Sequence, residues 1–323
     1  MAVISRTDAD LLIPDEISRE IIKDTPQASV VLQRMRRLPN MARGVYKMPV
    51  LNALPTAYFV DGEGTDQADY SGEGIKKTTD ASWTNKSITA EEVACIVPIP
   101  EQVIDDADYD IWAEIKPLIV EAFGKVVDAA VLFGTNAPTS WPDDILTGAG
   151  SASQTLELGA GGADIYDDLL GESGTFAMVE ADGYMVTGNI ADVSMKAKLR
   201  GCRDAMGVPI FSRSMQDKNR YELDGAPIDF PTNGAFAAAS ALMFSGDFSK
   251  AVYSIRQDVT YKVLTEAVIQ NPSTGAILYN LAQQDMVALR CTMRLGWQLP
   301  NPVNSMQPTA ADRYPFAVLI PAS

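Results

Sequence analysis

Hydrophobic positions fall into three kinds of pattern along the chain, and each predicts a different element. Residues 286–297 alternate: Val287, Leu289, Cys291, Met293, Leu295 and Trp297 point one way, and Arg290, Thr292 and Arg294 the other. That period of two predicts a half-buried strand. Shorter strands are predicted at 93–99, where Val93, Cys95, Val97 and Ile99 alternate as a buried strand, at 251–255, at 259–264, and at the FAVLI run near the end. After Asp110 the period changes. Ile111, Ile115, Leu118, Ile119, Ala122, Val126 and Ala130 recur at steps of three and four, which predicts one face of a long helix. Pro117 must start a new helix or kink this one, because it has no N–H to donate. Gly134, Asn136 and Pro138 supply the stop.

The third pattern is the near absence of core-forming side chains. Residues 61–82 hold four glycines and mostly polar groups, flanked by AYFV before and by alternating residues after Trp83. The flanks predict a long two-stranded hairpin, which on its own is marginal in water and so rests on something else. Towards the start, Pro14 opens a short helix striped by Ile17, Ile21 and Ile22, and a second helix is predicted through Val30, Val31, Met35 and Leu38. Residues 135–163 read as an irregular connection. Beyond it come a helix at 165–170, a strand at 183–187, a helix at 191–204, a strand at 208–212, and a hairpin turning at Asp224-Gly225. Residues 271–275, NPSTG, are a further turn.

Composition narrows the chemistry. The chain has 323 residues, more than one hydrophobic core usually fills, so two lobes are expected. A formal charge of −16 argues against a dedicated nucleic-acid binder, which is normally basic; it fits many soluble enzymes and the inside of a container for DNA equally well, so it excludes more than it selects. With no histidine, Ser-His-Asp and Cys-His pairs and imidazole metal sites are excluded. Cys95, Cys202 and Cys291 show no paired spacing and read as three buried small hydrophobes. GAGSAS and GAGG lack both the phosphate-loop lysine spacing and GxGxxG. The amino terminus carries acids where a secretory signal has bases, and no apolar run of membrane-spanning length exists.

Charge is also segregated. Residues 25–60 contain no acid but five bases, Arg34, Arg36, Arg37, Arg43 and Lys47. Residues 61–110 reverse this, with 13 acids against Lys76, Lys77 and Lys86. Such runs are usually solvated faces; the sharper alternative is a basic arm that docks on an acidic surface of an adjacent copy.

Four stretches in this order resemble the tailed-bacteriophage major capsid proteins: IVPIPEQVIDDA before the long helix, NIADVSMKAKLRGCRDAMGVPIF, LDGAPI, and FSGDFSKAVYSIRQDVTYKV. The resemblance covers nearly the whole chain. It implies an α+β fold with an N-terminal arm (1–48), an extended hairpin loop (49–98), a peripheral domain with a spine helix and long sheet (99–155 and 245–300) and an axial domain (156–244 and 301–323). It further implies hexamers and pentamers of the chain closing into an icosahedral shell. The partners it implies are other copies of the chain, double-stranded DNA by enclosure, a separate scaffolding protein, a portal and decoration proteins, with no membrane and no cofactor. As subunit-interface residues we take Arg34, Arg36, Arg37, Arg43, Lys47, Tyr58, Phe59, Lys76, Lys77 and Trp83, the aromatics being anchors of the kind interfaces favour. Two rivals are a protein-cargo shell of the encapsulin kind and an acidic α/β enzyme. The enzyme's best site is a Mg²⁺ cluster at Asp105, Asp106, Asp108 and Asp110, set against the plainer reading that these acids cap helix starts. Ser194 and Lys196 lie two apart on a predicted helix and point different ways, so they make no nucleophile pair.

Overall fold

A computed structural model describes residues 28–57, 78–106, 110–202 and 221–322. The helix predicted from Pro14, the loop residues Tyr58, Phe59, Lys76 and Lys77, Asp108, and the strand predicted at 208–212 lie outside the described residues.

The chain enters through α1 (Val30–Arg34), capped by Ser29, whose Oγ accepts from the Leu32 N–H at 3.0 Å. The sequence pattern predicted a helix continuing to Leu38; it stops at Arg34 instead. β1 (Arg36–Arg37) adds in parallel to the edge of a sheet, where the N–H groups of Arg36, Leu38 and Met41 bond the carbonyls of Ala251, Tyr253 and Ile255. Pro39 biases Leu38 towards extended backbone, and the open sheet edge supplies acceptors that a further helical turn would not.

β2 (Val45–Ala53) and β3 (Ser82–Thr89) form an antiparallel ribbon, with Val45 opposite Thr89 and Leu51 opposite Trp83. A two-stranded ribbon forms with the segment after Trp83 as expected, but its first strand ends before the predicted AYFV run, of which only Ala57 is described and is not in a strand. β4 (Glu91–Pro100) then joins the sheet. It is half-buried rather than buried, because it is an edge strand and Ile96 faces solvent. Pro100 leads into α2 (Glu101–Asp105).

The spine helix, α3 (Ile111–Phe133), starts at Asp110, whose carboxylate accepts from the N–H groups of Trp112 and Ala113. It ends where Gly134 adopts φ 66°, and Pro117 stays inside it without ending it. Its buried face is Ile119, Phe123, Val127, Ala130 and Val131. This corrects the predicted face, because Leu118 and Val126 are 47% and 45% exposed. Ile119 and Ala130 are buried as predicted and Ile115 packs against the core, but Leu118, Ala122 and Val126 are exposed, so the covered stripe is rotated towards Phe123, Val127 and Val131. Next come α4 (Ile145–Ser151) and β5 (Thr155–Glu157), inside the stretch expected to be irregular. Asp144 caps α4, Ile145 and Ala149 are buried beneath it, and Gly148 lets the Tyr314 ring lie against its backbone.

α5 (Ile165–Leu170), α6 (Thr175–Ala181), β6 (Gly188–Ala191), α7 (Met195–Gly201), β7 (Tyr221–Leu223) and β8 (Ala226–Asp229) follow. The strand expected at 183–187 sits later, at β6. The helix expected from 191 starts only at Met195, because Ala191 is still in the sheet. The Asp224-Gly225 turn is as predicted, with φ of 48° and 75°. β9 (Met243–Gly246), β10 (Val252–Leu264), β11 (Val268–Gln270), β12 (Ile277–Asn280), β13 (Met286–Gln298) and β14 (Phe316–Ile320) complete the chain. β10 is one long strand with register shifts near Gln257, where the pattern suggested two.

Two sheets result, ordered β1-β10-β13-β4 and β5-β14-β9-β6-β8-β7, with the two-stranded ribbons β2-β3 and β11-β12 beside them. One core runs through both sheets and the spine helix: Leu289, Leu295 and Trp297 from the first, Val127 and Val131 from α3, and Phe244, Phe316 and Val318 from the second. Phe133, Phe236 and Phe244 meet edge to face with centroids 5.3 to 5.8 Å apart where the helix ends on the second sheet. Met243 and Leu319 face the opposite way, into a second core with Leu169, Met195 and Leu199. FAVLI is therefore an uninterrupted apolar run because both its faces are covered. Among the described residues, no helix is long and apolar enough to cross a membrane.

Candidate subunit interface

Two regions contain the residues singled out from the sequence. In the first, the arm is fastened to the spine helix by a residue that pattern reading passed over. Asp128 is fully buried and accepts four hydrogen bonds: from Ser29 Oγ (2.5 Å), Val30 N (3.1 Å), Val31 N (3.2 Å) and Asn233 Nδ2 (3.0 Å). The donors come from the arm and from the loop after β8, so one carboxylate joins three parts of the fold. Burial pushes the Asp128 carboxyl above its ordinary range, while the Ser29, Asn233, Val30 and Val31 bonds oppose that shift. Four converging donors need an acceptor-only group, which a carboxylate is and an amide is not. Gly124, one turn earlier, allows the approach: a Cβ there would lie 2.7 Å from the Ser29 nitrogen. The available signal was an acid falling on the apolar face between Val127 and Val131.

Arg34 extends this junction. Its Nε donates to Asp229 Oδ2 at 2.5 Å, with both side chains partly buried, and its guanidinium lies over Gly188. Arg34 is thus held by an ion pair within its own chain. Arg36 and Arg37 are exposed on β1 at the sheet edge, with Arg37 donating to Asn40 at 3.0 Å, and Arg43 and Lys47 are exposed at the start of the ribbon.

The second region is that ribbon. At its root Ile88 is fully buried beside Met41 and Val252, and Gly296 on β13 lets the Thr89 carbonyl come close. Trp141 Nε1 donates to the Thr89 carbonyl (3.2 Å) and Ser140 Oγ to Glu91 (2.6 Å). Along one edge, Gln298 Nε2 bonds the Ser87 carbonyl (2.9 Å) and Val303 N the Leu51 carbonyl (3.0 Å). Its side chains nonetheless stay open to solvent: Val45, Tyr46 and Trp83 are 49%, 38% and 66% exposed. More apolar surface is exposed on the spine helix at Leu118 and Val126, and on β11-β12 at Val268, Ile277 and Leu278. Of the acids weighed as a cation site, Asp110 caps α3, and Asp105 and Asp106 close α2. Among the described residues, no group of three or more acids or cysteines is arranged to hold a metal.

The residues singled out here lie on surfaces of the ribbon, the sheet edge and the spine helix. The model of the phage capsid family matches residues 9–305. The chain belongs to the phage capsid family. The major capsid protein of Staphylococcus phage 80alpha is 25% identical over 99% of this chain and 88% of its own length. A solved structure from Microbacterium phage Oxtober96 superposes with a TM-score of 0.82 at 38% identity, covering 99% of this chain and all of that one. One from Mycobacterium phage Adephagia gives 0.82 at 31% identity, over 100% and 99%. The chain is thus a major capsid protein, a virion component that forms a shell from copies of itself. This family is one of structural proteins and not an enzyme class. Both the protein-cargo shell and the acidic enzyme are disfavoured, since the family and the curated relative are phage capsid proteins.

Proposed function

We propose that this capsid protein assembles as hexamers and pentamers into an icosahedral shell that encloses double-stranded DNA. Residues 1–48 act as the arm, 49–98 as the reaching loop, 99–155 with 245–300 as the peripheral domain, and 156–244 with 301–323 as the axial domain. Assembly takes place in the host cytoplasm, with a scaffolding protein, a portal and decoration proteins as further partners. The observation that carries this reading is the β2-β3 ribbon: paired along its length, bonded to its own chain at Thr89, Ser87 and Leu51, and exposing the side chains of Val45, Tyr46 and Trp83. An exposed two-stranded ribbon gains stability only by lying on another surface, and an aromatic such as Trp83 gains most there.

The loop residues Tyr58, Phe59, Lys76 and Lys77 continue this ribbon in sequence and share its role. Arg36, Arg37, Arg43 and Lys47 guide adjacent acidic surfaces into register; Arg34 is left out because Asp229 already holds it. Electrostatic guidance of this sort sets encounter rate more than final affinity. A net charge of −16 keeps the shell wall from adhering to its packaged DNA. Electron microscopy of the purified chain across salt and concentration tests the proposal: closed shells with five- and six-fold units are expected. A chain that stays monomeric throughout contradicts it.

A further inference from the structure

We propose that Cys95 and Cys291 form an intrachain dithiol site that closes to a disulfide by exchange with a small disulfide of the oxidised-glutathione class. The two residues, 196 positions apart, are direct partners in the β4-β13 antiparallel ladder, and both are free thiols. Directly opposed residues project to one face, with Cα atoms about 4.5–5.5 Å apart. A disulfide needs roughly 4.4–6.8 Å between Cα atoms, so the register alone meets the requirement. Cβ atoms of such pairs start about 4.5–5.5 Å apart and must end near 3.5–4.5 Å. The adjustment is small, and β4 can make it, because it is the sheet's edge strand with only β13 beside it.

The two thiols are not equivalent. Cys291 is fully buried, while Cys95 is partly exposed. Burial raises both thiols. For Cys291, at about 11, the neighbouring Cys95 adds to the rise, whereas hydrogen bonding with Cys291 offsets part of it at Cys95. Cys95 is therefore the thiol that ionises first and the one a reagent reaches, and Cys291 is the resolving thiol.

In the first step the Cys95 thiolate attacks one sulfur of oxidised glutathione. The new bond is a protein–glutathione mixed disulfide, and one glutathione thiolate leaves with the proton that Cys95 gave up. In the second, Cys291 loses its proton and attacks the Cys95 sulfur, expelling the second glutathione thiolate, which takes that proton. Two protein thiols are oxidised and one small disulfide is reduced to two thiols. The product ties the strand that leads from the ribbon to the spine helix onto the long inner strand of the sheet. Cys202 sits at the end of α7 in the other sheet's helical layer and takes no part.

The test is to incubate the folded full-length chain with oxidised glutathione, then denature, alkylate and map it by mass spectrometry. Free thiols should fall from three to one, with a single linked peptide pair containing Cys95 and Cys291, and no covalent dimer. Cys202→Ser should not alter the link. Cys291→Ser should trap glutathione on Cys95, whereas Cys95→Ser should leave Cys291 unmodified. The proposal is overturned if all three thiols survive in the folded chain while a denatured control oxidises, if wild-type Cys95 remains glutathionylated beside a free Cys291, or if the link runs between chains.

Discussion

The arm junction and the β2-β3 ribbon lie close in sequence but are held in opposite ways. At the junction the key polar groups are answered from within the chain: Asp128 by four donors, Arg34 by Asp229, and the α1 N-terminus by Ser29. On the ribbon, only Val50 and Ile88 are buried, while Val45, Tyr46 and Trp83 remain exposed. On the proposed function, such a protomer puts its own stability in the first region and keeps the second for a neighbour. The contrast predicts that substitutions will separate into those that unfold the protomer and those that only stop it assembling.

Asp128→Ala should have the largest effect on the protomer. It strands four donors in a dry core, and losing one partner of a buried charged network costs on the order of 3–5 kcal/mol. Thermal or denaturant unfolding of the unassembled chain measures this, and limited proteolysis should show the arm cut first. Asp128→Asn should be only partly tolerated, since its amide turns a donor towards groups that already donate. Ile88→Ala comes next, at about 2–4 kcal/mol for a buried aliphatic, and tests whether the ribbon root belongs to the protomer. Gly124→Val pushes a side chain into the Ser29 backbone and should cost roughly 1–3 kcal/mol by overpacking, again read by unfolding.

Much of the fold was legible because it follows local periodicity. Val287, Leu289, Cys291, Met293, Leu295 and Trp297 are all buried, and the Asp224-Gly225 hairpin forms where its turn chemistry requires. Errors arose where tertiary contacts outvoted local pattern. Leu118 and Val126 look as apolar as Phe123 and Val127, and only the packing of the sheets decides which stripe is covered. Met35 to Leu38 would continue a helix but for the acceptors on β10. α4 was hidden by its glycines, one of which exists to admit Tyr314. At the candidate interface, Arg36, Arg37, Arg43, Lys47 and Trp83 are exposed, whereas Arg34 is paired with Asp229. Asp128 was missed because its partners, Ser29 and Asn233, are about a hundred residues away in either direction, and no local window contains them.

The smallest effect expected on the protomer is also the most informative. Trp83 is 66% exposed, so Trp83→Ala should shift the unfolding free energy of the unassembled chain by no more than about 0.5 kcal/mol. As an interface anchor, the same side chain should matter by about 2 kcal/mol or more per contact, enough to raise the critical concentration for assembly some thirtyfold. Measuring both quantities on one variant, by denaturant unfolding and by light scattering of shell formation, tests the division of labour directly. Unchanged unfolding with strongly impaired assembly is the predicted result; a destabilised protomer, or shells that form at the wild-type concentration, would contradict it.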